Sequence, residues 1–336
     1  MLDSMRTNRK RLKRLLYVLL PAIVFIMYFT ISSTDDSLMN EREPVRIGIS
    51  LTPLSSPFLI AEHLQLFREN NINLSYVTCL GGVKCTNLLK KGKVDYATAS
   101  ESVVMFNSFT DDDLALVVSF VESANDLKLL TLSSSGVYSV NDLRGKKVGV
   151  VKASASEFYF DTMLIVNKLK DMPVTKVYLA PEELVHQLIS FQVDAVSIWE
   201  PYGYRAHLQA GSDVVNLGIP GIYQLSFNLL SYKSYLQSRN DQTGQIIQVL
   251  GRAIDWIHTH PEQAKQIVAE KLNIPLNELE WSWNDYVFRL SLGSSLLSNL
   301  QLQARWALER GLVEGELPDW RSVIYRQPFD AANKVE

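Results

Sequence analysis

The run VDAVSIWEPY, residues 193–202, carries an apolar strand to its end and sets Trp199, Glu200 and Tyr202 there. An indole, a carboxylate and a phenol at one strand end can hold a small organic molecule by stacking and by charge-assisted hydrogen bonds. KVDYATASES, residues 93–102, has the same layout 99 residues earlier, with Val94 matching Val193, Asp95 Asp194, Thr98 Ser197 and Glu101 Glu200. The chain thus writes one strand end twice, and Thr98, Ser100 and Glu101 occupy the earlier copy. A third stretch, VGVVKASASEF at 148–158, runs a strand into Lys152, Ser154 and Ser156 just before a helix. Free backbone N–H groups, two hydroxyls and the positive end of a helix dipole there suit an anion.

Each residue also has a plainer role. Ser154 or Ser156 can serve as a helix N-cap, Trp199 can pack in a core, and Glu101 or Glu200 can complement a helix dipole. Asp95 and Asp194 fit turn fixing better than ligand contact. Catalytic patterns are missing: the five histidines form no H-E-x-x-H, and no G-x-S-x-G elbow, phosphate loop or G-x-G-x-x-G is present. A net charge of -3 gives no basic footprint for nucleic acid.

Positioning such strand ends requires alternating strands and helices, and the sequence supplies them twice. Val45 to Leu51 reads as a strand, followed by the loop Thr52 to Ser56, where Thr52, Ser55 and Ser56 stand, and by a helix with Ser56 as N-cap and Pro57 as its first residue. Ile72 to Cys79 is the next strand, Val83 to Lys91 a helix, Val94 to Ala99 a strand and Leu114 to Val121 another. From Asn141 the order restarts and ends in the 193–202 run. Such alternation predicts two α/β units with mostly parallel sheets, whose strand ends open on a shared ligand site. After Leu225 the pattern reads as mostly helical, and Trp256, Trp281, Trp283 and Trp306 are expected to pack rather than bind.

At the N-terminus six basic residues between Arg6 and Arg14 precede an apolar run from Leu15 to Ile31. At 17 residues that run reaches the lower end of the span of about 17–25 needed to cross a bilayer, and the charge order keeps its start in the cytoplasm. Residues 1–14 are therefore expected inside, 15–33 as a transmembrane anchor or a cleaved signal, and 34–44 as a linker. Either way the remainder is exported. Cys79 and Cys85 are the only cysteines, and an exported compartment permits them to pair across Gly81-Gly82 or to stay as thiols.

Taken together, S-S-P-F-x-x-A-E, C-L-G-G-V-K, D-L-R-G-K-K-V-G-V-V-K-A-S-A-S and V-D-A-V-S-I-W-E-P-Y resemble the sulfonate, taurine, nitrate and thiamine-precursor group of ABC-transporter solute-binding proteins. The resemblance covers roughly residues 45–270. It implies a type II periplasmic-binding-protein fold, with residues 45–126 and 226–336 in one lobe and 127–225 in the other. The lobes would close over one small molecule without chemistry, cofactor or metal, and a monomer would deliver it to an ABC permease in the inner membrane. Ligand contacts would come from Thr52, Ser55 and Ser56, from Thr98, Ser100 and Glu101, from Ser154 and Ser156, and from Trp199, Glu200 and Tyr202. A carboxylate at Glu101 favours a zwitterion or neutral heterocycle over a bare anion, and Ala153 stands where relatives often have glycine. A sensory clamp reporting to a membrane partner, and a pyrimidine-forming enzyme on the same fold, are the competing readings.

Overall fold

The computed structural model describes residues 44–333. The expected cytoplasmic stretch, membrane segment and nearly all of the linker lie outside the described residues. Within them, no helix is long and apolar enough to cross a membrane.

The chain opens with strand β1 (Val45–Ser50), a short turn, helix α1 (Ser56–His63) and helix α2 (Leu66–Glu69), then β2 (Leu74–Cys79), α3 (Gly82–Lys90), β3 (Tyr96–Ser100), α4 (Glu101–Ser108) and β4 (Leu114–Ser123). It then crosses into a second unit: β5 (Leu127–Leu132), β6 (Lys147–Val150), α5 (Ala155–Val166), β7 (Thr175–Tyr178), α6 (Pro181–Ile189), β8 (Ala195–Trp199), α7 (Tyr202–Ala210) and β9 (Val214–Asn216). A return crossing leads to β10 (Leu225–Tyr232), after which α8 (Lys233–Gln237), α9 (Asn240–Thr259), α10 (Pro261–Leu272) and α11 (Leu276–Trp283) precede β11 (Tyr286–Ser291), α12 (Ser294–Glu309), α13 (Trp320–Val323) and α14 (Gln327–Ala332).

Two sheets result, ordered β11-β4-β10-β3-β1-β2 and β7-β6-β8-β5-β9. In each, three strands run parallel, β2-β1-β3 and β7-β6-β8. The expectation of mostly parallel sheets needs correction, because β10 and β5 enter antiparallel beside β3 and β8. Both are crossing strands: a chain leaving one lobe for the other runs opposite to the strands of the βαβ units, so each crossing ends in an antiparallel partner. The tail is also less helical than its composition suggested. Tyr286 and Phe288 turn inward while Val287 and Arg289 face out, a period of two that pairs with β4.

The 99-residue echo is a structural repeat. Gly48 pairs with Ala97 between β1 and β3, and Gly149 with Val196 between β6 and β8. Asp95 and Asp194 do the same job in each lobe, accepting the backbone N–H of Arg46 and of Lys147 at 2.8 Å. Each thereby fixes the start of its central strand and faces away from the strand ends. Cys79 and Cys85 are joined by a disulfide with a Cα–Cα distance of 5.4 Å. Trp283 and Trp306 are buried, and Trp306 wedges between the lobes, with its ring against Phe106 of α4 and Phe158 of α5.

Candidate ligand-binding site

The carboxyl ends of the parallel strands in both lobes face one cleft, as the strand-end rule for open α/β sheets requires. Its volume is about 250 Å³, just under the range of about 300–1,000 Å³ common for small-molecule sites. The walls are mostly apolar, with Leu54, Val103, Leu179, Leu225 and Phe227 around the Trp199 indole. Four helices of eight residues or more begin at the cleft, at Gly82, Glu101, Ala155 and Pro181, so the partial positive charge of each N-terminus falls on the same space. Lys84 and Lys152 stand at its edge.

Of the residues singled out from sequence, Thr52, Ser100, Ser154 and Trp199 line this cleft. Thr52 is 4% exposed and its hydroxyl has no hydrogen-bond partner among the described residues. Ser154 is the N-cap of α5: its hydroxyl accepts from the Ser156 N–H and donates to the Val151 carbonyl. Trp199 reaches across to the other lobe, where a β-carbon on Gly81 would sit 3.2 Å from the indole. Gly81, at φ 81° and ψ 153°, holds a backbone shape open in practice to glycine alone. Gly82 lets α3 lie directly on β3, since a β-carbon there would meet Ala99 at 2.7 Å.

The other seven do not line the cleft, and each has structural partners. Ser55 donates to the Ser50 carbonyl and Ser56 to that of Pro53, so both close the first turn, and Ser56 opens α1 with Ser55 before it. Thr98 lies between the Gly48 carbonyl and the Ser50 N–H, binding β3 to β1. Ser156 and Ser197 tie α5 to β8 through each other's carbonyls. Tyr202 begins α7 on the far side of Trp199, in a separate hollow with Leu51 and Arg205.

The two strand-end glutamates turn away from the cleft to opposite parts of the hinge. Glu101 accepts from the Tyr223 hydroxyl, from the Ser226 N–H at 2.8 Å and from Gln303 of α12 at 2.9 Å. Glu200 accepts from the Tyr204 N–H at 2.9 Å, capping α7, and from the Trp281 indole N–H of α11 at 3.1 Å. Gly203 leaves room for that carboxylate. Burial pushes the pKa of both acids up, and the hydrogen bonds just named oppose the shift.

The carboxylate that does line the cleft is Asp126, on the first crossing between β4 and β5. Sequence reasoning passed over it, although a carboxylate placed where the chain changes lobes was a usable signal. Ser50 and the Leu80–Lys84 wall were also missed; Gly81-Gly82 follows a strand and opens a helix, the pattern credited only to the other strand ends. At residue 153 the chain makes the left-handed turn without glycine: Ala153 has φ 53°, and its N–H is held by Glu157 at 3.0 Å.

Two α/β lobes joined by paired crossings around a strand-end cleft define the periplasmic-binding-protein fold. The chain belongs to the NMT1/THI5-like family, whose profile matches residues 52–264. It is 24% identical over 258 residues to a Bacillus subtilis (strain 168) protein named for aliphatic sulfonate binding, covering 75% of this chain and 77% of that one. With a Haemophilus influenzae protein named for thiamine biosynthesis it shares 24% identity over 260 residues, 74% of this chain and 80% of the relative. The solved structure of the alkanesulfonate-binding protein SsuA from Xanthomonas axonopodis pv. citri, bound to MOPS, superposes with a TM-score of 0.75 at 20% identity, covering 84% and 99% of the two chains.

Proposed function

We propose that this chain is the solute-binding component of an ABC importer and captures a small organic sulfonate between its lobes. The observation that carries the reading is the cleft itself: apolar walls for a short carbon body, and four helix N-termini, two from each lobe, opening on it for an anionic head. The Thr52 hydroxyl, buried without a partner among the described residues, would donate to a sulfonate oxygen, and Ser100 would do the same from the other strand end. The names of the sulfonate-binding relatives support this ligand class. Closure follows from contacts that the ligand gains from both lobes only when they meet.

The basic stretch and apolar run of residues 6–31 support tethering of this monomer to the inner membrane, with the lobes in the periplasm beside an ABC permease. Calorimetry of the full chain against ethanesulfonate, taurine, MOPS, nitrate and an aminopyrimidine tests the ligand class. Saturable binding of sulfonates is expected. Binding of the aminopyrimidine with silence toward every sulfonate would replace the reading with the thiamine-precursor one.

A further inference from the structure

We propose that Asp126 at the floor of the cleft receives a cationic group of the ligand, so that the preferred substrates are zwitterions, small sulfonates that also carry an ammonium. The inference deepens the sulfonate reading and rests on it.

Asp126 is 1% exposed and lines the cleft. One carboxylate oxygen accepts from the Tyr286 hydroxyl at 3.1 Å, while Oδ2 has no partner among the described residues. A buried carboxylate oxygen left without a donor is costly, and a bound ammonium would remove that cost. The nearby charges leave room for one. Glu200 is fully buried, and Lys128, 8% exposed, sits with its ammonium 3.9 Å from the Glu200 carboxylate while donating to the Asn125 carbonyl. Lys128 is thus drawn to Glu200 and forms no ion pair with Asp126, which keeps no cation of its own among the described residues. The other charged groups around the cleft are engaged elsewhere: Asp285, which accepts from the Asn125 amide, adds negative charge, Arg205 is held by Glu278 at 2.8 Å, Lys84 by Glu182 at 2.6 Å, and the Lys152 ammonium lies over the Tyr178 ring.

The helix N-termini at Gly82 and Ala155 give the same cleft a positive character. A ligand with both signs satisfies both regions, whereas a simple alkanesulfonate leaves Asp126 unpartnered. Because the carboxylate lies on the crossing segment, a ligand held there would also join the hinge to the two strand ends.

Taurine and 1-propanesulfonate have nearly the same shape, a methyl replacing the ammonium, and make the test clean. Calorimetry on the full chain in dodecyl maltoside should show taurine binding at least tenfold tighter. The variant Asp126→Asn keeps the side chain's size and an acceptor for Tyr286; it should weaken taurine at least tenfold and leave propanesulfonate within threefold. Equal affinities in the unaltered chain, or a taurine preference that survives Asp126→Asn, would overturn the inference while sparing the sulfonate reading. Silence toward both compounds overturns the two together. The unaltered chain alone decides the matter if the variant fails to fold.

Discussion

Replacing Cys79 and Cys85 together with alanine opens a ring whose closing residues are six apart in sequence. In the chain-entropy account a loop this short stabilises the fold by about 2 kcal/mol. Alanine suits the test because Cys85 is fully buried and Cys79 nearly so, and serine would bury new hydroxyls. For a chain of this size the loss lowers the thermal midpoint by roughly 3–4 °C. The same change reaches the ligand, since Leu80, Gly81 and Gly82, which form part of the cleft wall, lie inside the ring. Urea unfolding followed by far-UV circular dichroism should give the 2 kcal/mol as a shifted midpoint with an unchanged slope, and the unaltered chain unfolded in reductant should match the variant. A loss below about 0.5 kcal/mol would refute the constraint argument, as would a reduced protein that keeps the oxidised midpoint.

The variant Gly81→Ala must enter a backbone region that costs about 1–3 kcal/mol for other residues, and its methyl meets the Trp199 indole when the lobes are shut; a fall in taurine affinity of tenfold or more by calorimetry is expected, and unchanged affinity would remove Trp199 from the closing contact. Lys84 and Glu182 pair across the mouth of the cleft at 2.6 Å, each about half exposed; Glu182→Gln should speed ligand release less than about fivefold, an effect that vanishes in high salt, and stopped-flow fluorescence reads it. Burial, reinforced by the negative charge of Glu200, raises the pKa of Asp126 to about 7. Its folded value lies above its unfolded one, so its contribution to stability is present at low pH and is lost as pH rises from about 4 through 7, on the order of 4 kcal/mol in all. The ligand-free Asp126→Asn variant should accordingly melt higher than the unaltered chain at pH 8 and close to it at pH 5; equal melting at both pH values would show that Asp126 is not held away from water.

Glu101 and Glu200 show how far a motif can be trusted. Both are conspicuous in sequence, both end a strand at the mouth of a ligand cleft, and both point elsewhere. Glu101 fastens the return crossing and α12, and Glu200 fastens α7 and α11 beside the first crossing. Their positions are symmetry-related, and so is their work: each ties a strand end to the C-terminal helices that bridge the lobes. A carboxylate this deeply buried needs several donors, and those donors come from residues 81 to 202 positions away or more locally from a helix N-terminus, none of the distant ones visible in a short stretch of sequence.

The order of strands and helices was legible because it is local physics. A β-branched run, a capping residue and an apolar face at helical spacing act within a dozen residues, so the strands β1 to β4 and β6 to β8, the helices α1, α3, α5 and α6, and the duplicated strand end could be read directly, while α4, β5 and α7 were not. The duplication itself announced two lobes, and the strand-end rule brought Thr52, Ser100, Ser154 and Trp199 to one cleft. Other features depended on pairings that sequence does not print. β10 and β11 look like ordinary parts of a helical tail until β4 gives them a ladder to join. Asp126 carries in sequence only its place at the crossing, and it is the fold that leaves one of its oxygens without a donor among the described residues. Sequence determined most of the segments that form and which strand ends open on the cleft. The tertiary structure decided which polar side chains at those ends remain free to meet it, because a buried hydrogen-bonding group is claimed by whatever donor or acceptor the fold brings within about 3 Å.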